Sequence, residues 1–180
     1  MQSRGPTSSS TTTSASLGVS MERDAALSDL AAARQEWEEA FARVPDEALR
    51  YLKPGDDYSL GGLQVHVNWV LAHYLRVLEG QVVVDDPPLS DDARLGLTTA
   101  KRRSSLAEMA RLHTAVLNAA LRRPASEWQQ ATPVIYGEGQ DPYPTSPDNV
   151  IEWLRDHYRE HVAQCADLID DWRTAVKAAG

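Results

Sequence analysis

Apolar residues recur along this chain at alternating spacings of three and four, which is the period of a helix with one buried face. The first such stripe consists of Leu27, Leu30, Trp37, Phe41 and Val44, with Arg34 among them. Pro45 follows the stripe, and proline ends a helix because it has no amide hydrogen and clashes with the preceding turn. The pattern therefore predicts a first helix that ends before Pro45, with a short extra turn over residues 46–52.

The second stripe is the most apolar of the chain. Ser59 precedes it as a predicted N-cap, and Gly80 follows it as a predicted C-terminal stop. Its members cover more than half of the helix circumference: Leu60, Leu63, Val67, Val70, Leu71, Tyr74, Val77 and Leu78. A helix that is apolar over so much of its surface lies at the centre of a bundle, and His66 falls on its inward half.

Two further stripes follow. Ser90, with two aspartates after it, predicts the start of a third long helix that ends at Pro124. Residues 132–136 favour an extended conformation. A fourth helix is predicted to begin at Ser146 with Pro147 in its first turn, which is a favoured position for proline. Its stripe is Val150, Leu154, His157, His161, Cys165, Leu168 and Trp172. Four helices of this kind predict an all-α four-helix bundle.

Length and composition predict one domain with a tail. Residues 1–20 are rich in Ser and Thr and have no helical period. Such a segment buries too little apolar area to offset its ordering entropy, so we expect it to be disordered. The segment also lacks the apolar centre of a secretory signal. Residues 21–180 are long enough to form a single domain, the predicted bundle.

Charge and cysteine content narrow the classes of function. The formal net charge of −8 argues against binding to the phosphates of nucleic acid. No apolar run is long enough to cross a bilayer, because polar residues interrupt the best candidate, so we expect no membrane insertion. The single cysteine, Cys165, cannot form an internal disulfide and suits a reducing compartment. We therefore expect a cytoplasmic protein.

The candidate chemistry lies in the histidines. His157 and His161 are four residues apart, so they lie one turn apart on the same helix face, in the apolar stripe. Two unpaired imidazoles in a core would each cost about 1–3 kcal/mol. A metal ion removes this cost by binding one nitrogen of each ring, while the other nitrogen donates to an acceptor. With a third imidazole from the second helix, the pattern predicts a site for a divalent metal.

The second helix offers two histidines for the third position. His66 and His73 are seven residues apart and lie on the same face, separated by about 10 Å along the helix axis. That separation is too large for both to bind one ion together with His157 and His161. Of the other candidates, we interpret His113 as a core or pocket-wall residue and Cys165 as packing.

Two stretches of the sequence resemble signatures of one family. Residues 58–66 (YSLGGLQVH) resemble the helix-two signature of the DinB/YfiT-like superfamily, in which an aromatic residue, usually Trp, precedes a metal-binding histidine by about two turns. Residues 153–164 (WLRDHYREHVAQ) resemble its helix-four signature, which carries two further histidines. The resemblance spans about residues 22–175. It implies a four-helix bundle with His66, His157 and His161 as metal ligands, and Tyr58 stands where the family usually has Trp.

The resemblance also implies an activity. Members of the superfamily include thiol-dependent transferases and isomerases that use mycothiol, bacillithiol or glutathione, and many proteins described only as metal-dependent hydrolases. We therefore expect a thiol S-transferase or a hydrolase that acts on a small molecule, with a low-molecular-weight thiol as a candidate cosubstrate and a homodimer as the candidate assembly. Three imidazoles accept Zn, Ni, Fe or Mn. Two alternatives stay open: a non-catalytic metal- or small-ligand-binding stress-response bundle, and an interaction bundle whose histidines bind nothing.

Overall fold

Four long helices form the protein in a computed structural model that describes residues 11–179. In chain order, the elements are α1 (Thr11–Ala42), a 3-10 turn (Asp46–Ala48), α2 (Leu60–Leu78), α3 (Asp91–Arg94), α4 (Thr99–Arg122), a second 3-10 turn (Ala125–Glu127), β1 (Thr132–Val134), β2 (Tyr143–Thr145) and α5 (Pro147–Ala179). The predicted all-α four-helix bundle is confirmed, and so is the extra turn that follows Pro45.

The core lies between the four long helices. α1 packs along α5, while α2 packs against both α4 and α5 and is therefore the central helix, as its wide apolar surface predicts. The aromatic rings of Trp37 and Phe41 are fully buried and stack on each other with ring centroids 5.5 Å apart. Within the described part of the chain, no helix is long and apolar enough to cross a membrane.

The helices that carry the candidate histidines begin where the sequence predicts. The Ser59 hydroxyl accepts a hydrogen bond from the Gly62 amide at 2.9 Å and so caps α2. At the start of α5, the Ser146 hydroxyl accepts from the Asn149 amide, and the Asn149 side chain accepts from the Ser146 amide in return. These caps satisfy backbone donors that a helix start leaves free. They fix the residue at which each of these helices begins.

The predicted start of the third long helix is wrong. Ser90 caps only the short α3, and the long helix α4 begins eight residues later, after its N-cap Thr98. The reason is Gly96, whose φ of +76° lies in the left-handed region that ends a helix. Leu97 then enters the core with 5% exposure, so the chain turns before it resumes as α4.

A close backbone approach joins α3 to the start of α2. The Ser59 amide donates to the Arg94 carbonyl at 3.0 Å, and the Ser59 hydroxyl donates to the Leu95 carbonyl at 2.8 Å. A Cβ atom at Gly62 would lie only 2.0 Å from the Arg94 carbonyl oxygen. Gly62 is therefore required for this contact, which sets the position of the first turns of α2.

A small hairpin precedes α5. β1 and β2 pair antiparallel, with Thr132 opposite Thr145, and this confirms the extended conformation predicted for the first part of residues 132–136. Ile135 continues from β1 and forms a parallel bridge with Val83, so the hairpin also holds the segment that follows α2. The hairpin thus connects the C-terminal end of α2 to the N-terminal end of α5.

The structure covers only part of the predicted N-terminal tail. Residues 1–10 lie outside the described residues, whereas residues 11–20 belong to α1. Val19 is partly buried against the core. The packed face of α1 therefore begins upstream of Leu27, the first residue of the predicted stripe.

Candidate metal centre

Three imidazoles converge between α2 and α5. The Nε2 atom of His157 lies 3.1 Å from Nε2 of His66 and 3.0 Å from Nε2 of His161. His161 is buried, and the other two rings are partly buried. Among the described residues, these three form a group that could hold a metal ion. The structure therefore brings together the three histidines that the sequence analysis singled out.

The contacts of these nitrogens fit a shared cation better than they fit a set of hydrogen bonds. A neutral imidazole nitrogen either donates one hydrogen or accepts one, so Nε2 of His157 cannot satisfy both neighbours at once. At least one polar nitrogen of the group then stays unsatisfied in a buried site, which is unfavourable. Nitrogens that each lie about 2.0–2.1 Å from one ion are up to about 4 Å apart, and the observed spacings fall within that limit.

Burial keeps the three rings neutral. Burial, together with a smaller effect of the adjacent imidazoles, lowers the pKa of His66 to about 4 and that of His157 to about 2. Burial also lowers the pKa of His161, although the hydrogen bond to Gln164 opposes this effect. Neutral imidazole is the form that binds a metal, because protonation occupies the lone pair. The donor set is therefore ready to bind at neutral pH without losing protons.

Gln164 orients His161. The Nδ1–H group of His161 donates to the Gln164 side-chain oxygen over 2.8 Å, which leaves the lone pair on Nε2 facing the other two histidines. A hydrogen bond of this kind to the second nitrogen fixes the tautomer of a metal-binding histidine. The sequence analysis did not identify Gln164, although its position three residues after His161, one turn along the same helix, was an available signal.

Aromatic rings hold His66. Tyr58 stacks on it with ring centroids 4.5 Å apart and planes 26° apart, and the Trp69 ring lies nearly parallel to it at 6.2 Å and 16°. The Nδ1 atom of His66 is buried and has no hydrogen-bond partner among the described residues. Tyr58 is the aromatic residue of the family signature that precedes this histidine. Trp69 was missed, although it lies three residues after His66 on neighbouring positions of the helix face.

His73, the alternative third ligand, lies outside the group. Its Nδ1 atom is 2.6 Å from the Asp86 carboxylate, which also forms an ion pair with Arg76. The Trp69 ring stacks on both histidines and so lies between them. The structure therefore joins His66, and not His73, to the pair on α5.

The remaining candidates have the structural roles that the sequence predicts. His113 is buried with 2% exposure, and its Nδ1 atom lies 3.4 Å from the Tyr158 hydroxyl, so it is a core residue. Burial lowers the pKa of His113 to about 4. Cys165 is fully buried, with its sulfur 4.0 Å from the Ala40 carbonyl oxygen. Burial raises the pKa of this thiol to about 11, which makes it a packing residue rather than a thiolate ligand.

Comparisons with known proteins identify the family. No curated protein and no solved structure gave a match in these comparisons. A family model for the DinB superfamily matches residues 29–165. The matched span contains all three histidines of the group, the whole of α2 and α4, and parts of α1 and α5. Since the match covers most of the chain, this protein belongs to the DinB superfamily.

Proposed function

We propose that this chain is a metal-dependent enzyme in which His66, His157 and His161 bind one divalent ion, and that its reaction is the transfer of a group to or from a thiol. One observation carries the proposal. The Nε2 atom of His157 lies 3.0–3.1 Å from those of His66 and His161, in a place where burial keeps the rings neutral. Hydrogen bonds between neutral imidazoles cannot satisfy all three of these nitrogens, whereas a shared ion can.

The donor set determines what chemistry is available. When bound by three neutral nitrogens, a divalent ion keeps its positive charge, has at least one position for a further ligand and lowers the pKa of a thiol or water there. The chain contributes a rigid and oriented donor set. His157 and His161 lie one turn apart on α5, and α2 presents His66 opposite them. Ligands that are held in place by helices need little rearrangement when the ion binds.

A thiol is favoured over water as the activated group. The three-histidine group contains no carboxylate. Hydrolysis is assisted by a general base within hydrogen-bond reach of the attacking water. A thiol has an ordinary pKa of about 8.5, so a small lowering already gives thiolate at neutral pH without a separate base. S-transfer with a low-molecular-weight thiol is therefore the leading proposal, and a hydrolase is the second candidate.

The three-histidine group, which contains only imidazoles, also supports a non-catalytic function as a candidate. Without an acid or base in the group, the three histidines suffice to bind a metal or a small ligand but supply no proton transfer. A stress-response bundle that only binds would keep the same donors and the same buried environment. Turnover separates this candidate from the enzyme.

Metal content tests the proposal first. The full chain is purified without a polyhistidine tag and analysed for Zn, Ni, Fe and Mn, alongside the variant His157→Ala and the control Asp156→Ala. Asp156 is the exposed neighbour of His157 and pairs with Arg155. We expect about one ion per chain in the wild type and the control, and none in His157→Ala. A metal-free wild type that also binds none of these ions when they are added would overturn the proposal.

Thiol binding tests the reaction class. The Co²⁺-loaded protein is titrated with glutathione, bacillithiol and mycothiol while near-ultraviolet absorption is recorded. We expect a sulfur-to-cobalt charge-transfer band with one of these thiols, and turnover when that thiol is offered together with an electrophile. Turnover of ester or amide substrates without any thiol would instead support the hydrolase. Thiol binding with no turnover over a broad set of electrophiles would favour the non-catalytic candidate.

A further inference from the structure

Two of the three candidate ligands differ in what holds their second ring nitrogen. In His161, Nδ1 donates to Gln164 at 2.8 Å. In His66, Nδ1 is buried and has no partner among the described residues. A metal-binding histidine normally relies on that second hydrogen bond to fix its ring plane. Something other than a hydrogen bond must therefore hold the ring of His66.

The packing around His66 provides this support. Four consecutive ring pairs stack with planes only 16–26° apart, and together they form an aromatic column along one face of α2. The rings of the column, in order, belong to Tyr58, His66, Trp69, His73 and Tyr136. Its centroid spacings of 4.5, 6.2, 5.4 and 5.6 Å lie in the range of attractive offset stacking.

The Asp86 carboxylate holds the His73 ring of the column in place. His73 stacks behind the Trp69 indole, and its Nδ1 is held 2.6 Å from the Asp86 carboxylate. Asp86 is held in turn by the guanidinium of Arg76. Because His73 cannot rotate without losing this contact, Trp69 rests on a fixed surface. His66, Trp69 and His73 follow one another at spacings of three and four, so one helix face carries the whole support.

We propose that Trp69 is a positioning residue of the metal centre: its indole, supported by His73, holds the ring plane of His66 in the place of the missing hydrogen bond. The proposal rests on the proposed metal-binding function and adds a residue outside the donor set. It also gives His73 a role other than that of a ligand. Without the indole, His66 would keep its place on α2 but lose the orientation that directs Nε2 at His157 and His161.

Metal affinity of the full chain tests this proposal. Co²⁺ and Zn²⁺ dissociation constants are measured by competition with a chromophoric chelator, and the visible Co²⁺ spectrum is recorded. We expect Trp69→Leu to weaken binding by about tenfold or more, as is typical when the support of a metal-binding histidine is removed, and to alter the Co²⁺ bands. Trp69→Phe keeps a ring in the column and should restore most of the affinity.

A matched control separates positioning from general packing. Trp153 is a half-buried tryptophan of α5, one turn before His157, and its ring contacts Tyr74 and Tyr143 rather than a histidine of the group. Trp153→Leu should leave the dissociation constants and the Co²⁺ spectrum unchanged. If Trp69→Leu binds both ions as the wild type does, with an unchanged spectrum, the proposal is overturned even when its melting temperature falls.

A double-mutant cycle tests the role of His73. His73→Leu alone should weaken binding, and it should weaken it little further in the Trp69→Leu background, because it acts through the indole. If the losses of metal affinity in the two single variants add up in the double variant, His73 acts independently of Trp69. That result would overturn the proposal that the aromatic column supports His66. A wild type that binds neither Co²⁺ nor Zn²⁺ overturns the proposed function itself, and this inference with it. A different result, in which the wild type binds the ions and Trp69→Leu binds them equally well, overturns only the role of Trp69.

Discussion

The Nε2 atoms of His66 and His157 lie 3.1 Å apart although 91 residues separate them in the chain. One belongs to α2 and the other to α5, so no local interaction brings them together. Both rings are partly buried, and burial holds the pKa of each well below its ordinary value. Two neutral and partly buried imidazoles therefore face each other across the interface between α2 and α5.

Loss of one ligand should separate metal binding from folding. We expect His157→Ala to bind Zn²⁺ at least about tenfold more weakly than the wild type while it keeps the helical circular-dichroism spectrum. The bundle core consists of apolar residues from four helices, so we expect it to form without the ion. Isothermal titration of the chelator-treated variant gives the affinity. A variant that retains wild-type affinity would exclude His157 as a ligand.

Metal should raise the melting temperature. An ion that binds the folded chain and not the unfolded chain shifts folding by mass action, by about 2.7 kcal/mol at 100 times its dissociation constant. The effect should persist below pH 6.5 and weaken only toward pH 4, where His66 of the folded chain takes up protons that compete with the metal. Differential scanning calorimetry with and without a strong chelator measures the shift. Identical melting curves under both conditions at pH 7.5 would argue against any bound metal.

The metal-free protein should lose stability as the pH falls. Burial lowers the pKa of His66 and of His113 to about 4 in the folded chain, against 6.5 for an unperturbed histidine. Between these values the unfolded chain binds protons that the folded chain does not, so the free energy of unfolding decreases with decreasing pH. Within this window, each such histidine lowers the free energy of unfolding by about 1.4 kcal/mol for each pH unit of acidification. Above the window it does not change the free energy of unfolding with pH.

Urea unfolding at pH 7.5, 6.0 and 5.0 measures this dependence. The variant His113→Gln removes a titrating group that is not in the metal group, so its unfolding free energy should depend less steeply on pH than that of the wild type. If the metal-free wild type is equally stable at pH 7.5 and pH 5.0, the buried histidines are not neutral in the way described.

Gly62 should tolerate no side chain. A Cβ atom at this position would lie 2.0 Å from the Arg94 carbonyl oxygen, and that backbone is held by the hydrogen bond from the Ser59 amide. We expect Gly62→Ala to lower the free energy of unfolding by about 1–3 kcal/mol through overpacking. Gly18→Ala is the control, because a Cβ there meets nothing within 4 Å and should stabilise the helix by about 0.5–1 kcal/mol. Equal stability of Gly62→Ala and the wild type would contradict the close approach.

The starts of α2 and α5 could be predicted from sequence because they depend on local interactions. Ser59 and Ser146 cap their helices through groups three residues away, and Gly80 ends its helix with a positive φ of 94°. The apolar stripes also predicted the buried faces, since the helical period alone determines which residues share a face. The third long helix was predicted from the wrong cap, because the turn at Gly96 depends on its contact with the glycines of α2.

The sequence by itself determined the four amphipathic helices and the placement of His157 and His161 on one turn of the same face. By helical period alone His66 and His73 are equivalent, and only the resemblance to the family signature favoured His66. The tertiary structure decided between them. The packing of α2 against α5 brings His66 next to the histidine pair and places His73 two turns away, beside Asp86. The tertiary structure also revealed the contacts that Trp69 and Gln164 make with these histidines, because helical spacing places two residues near each other but does not determine whether their side chains make contact.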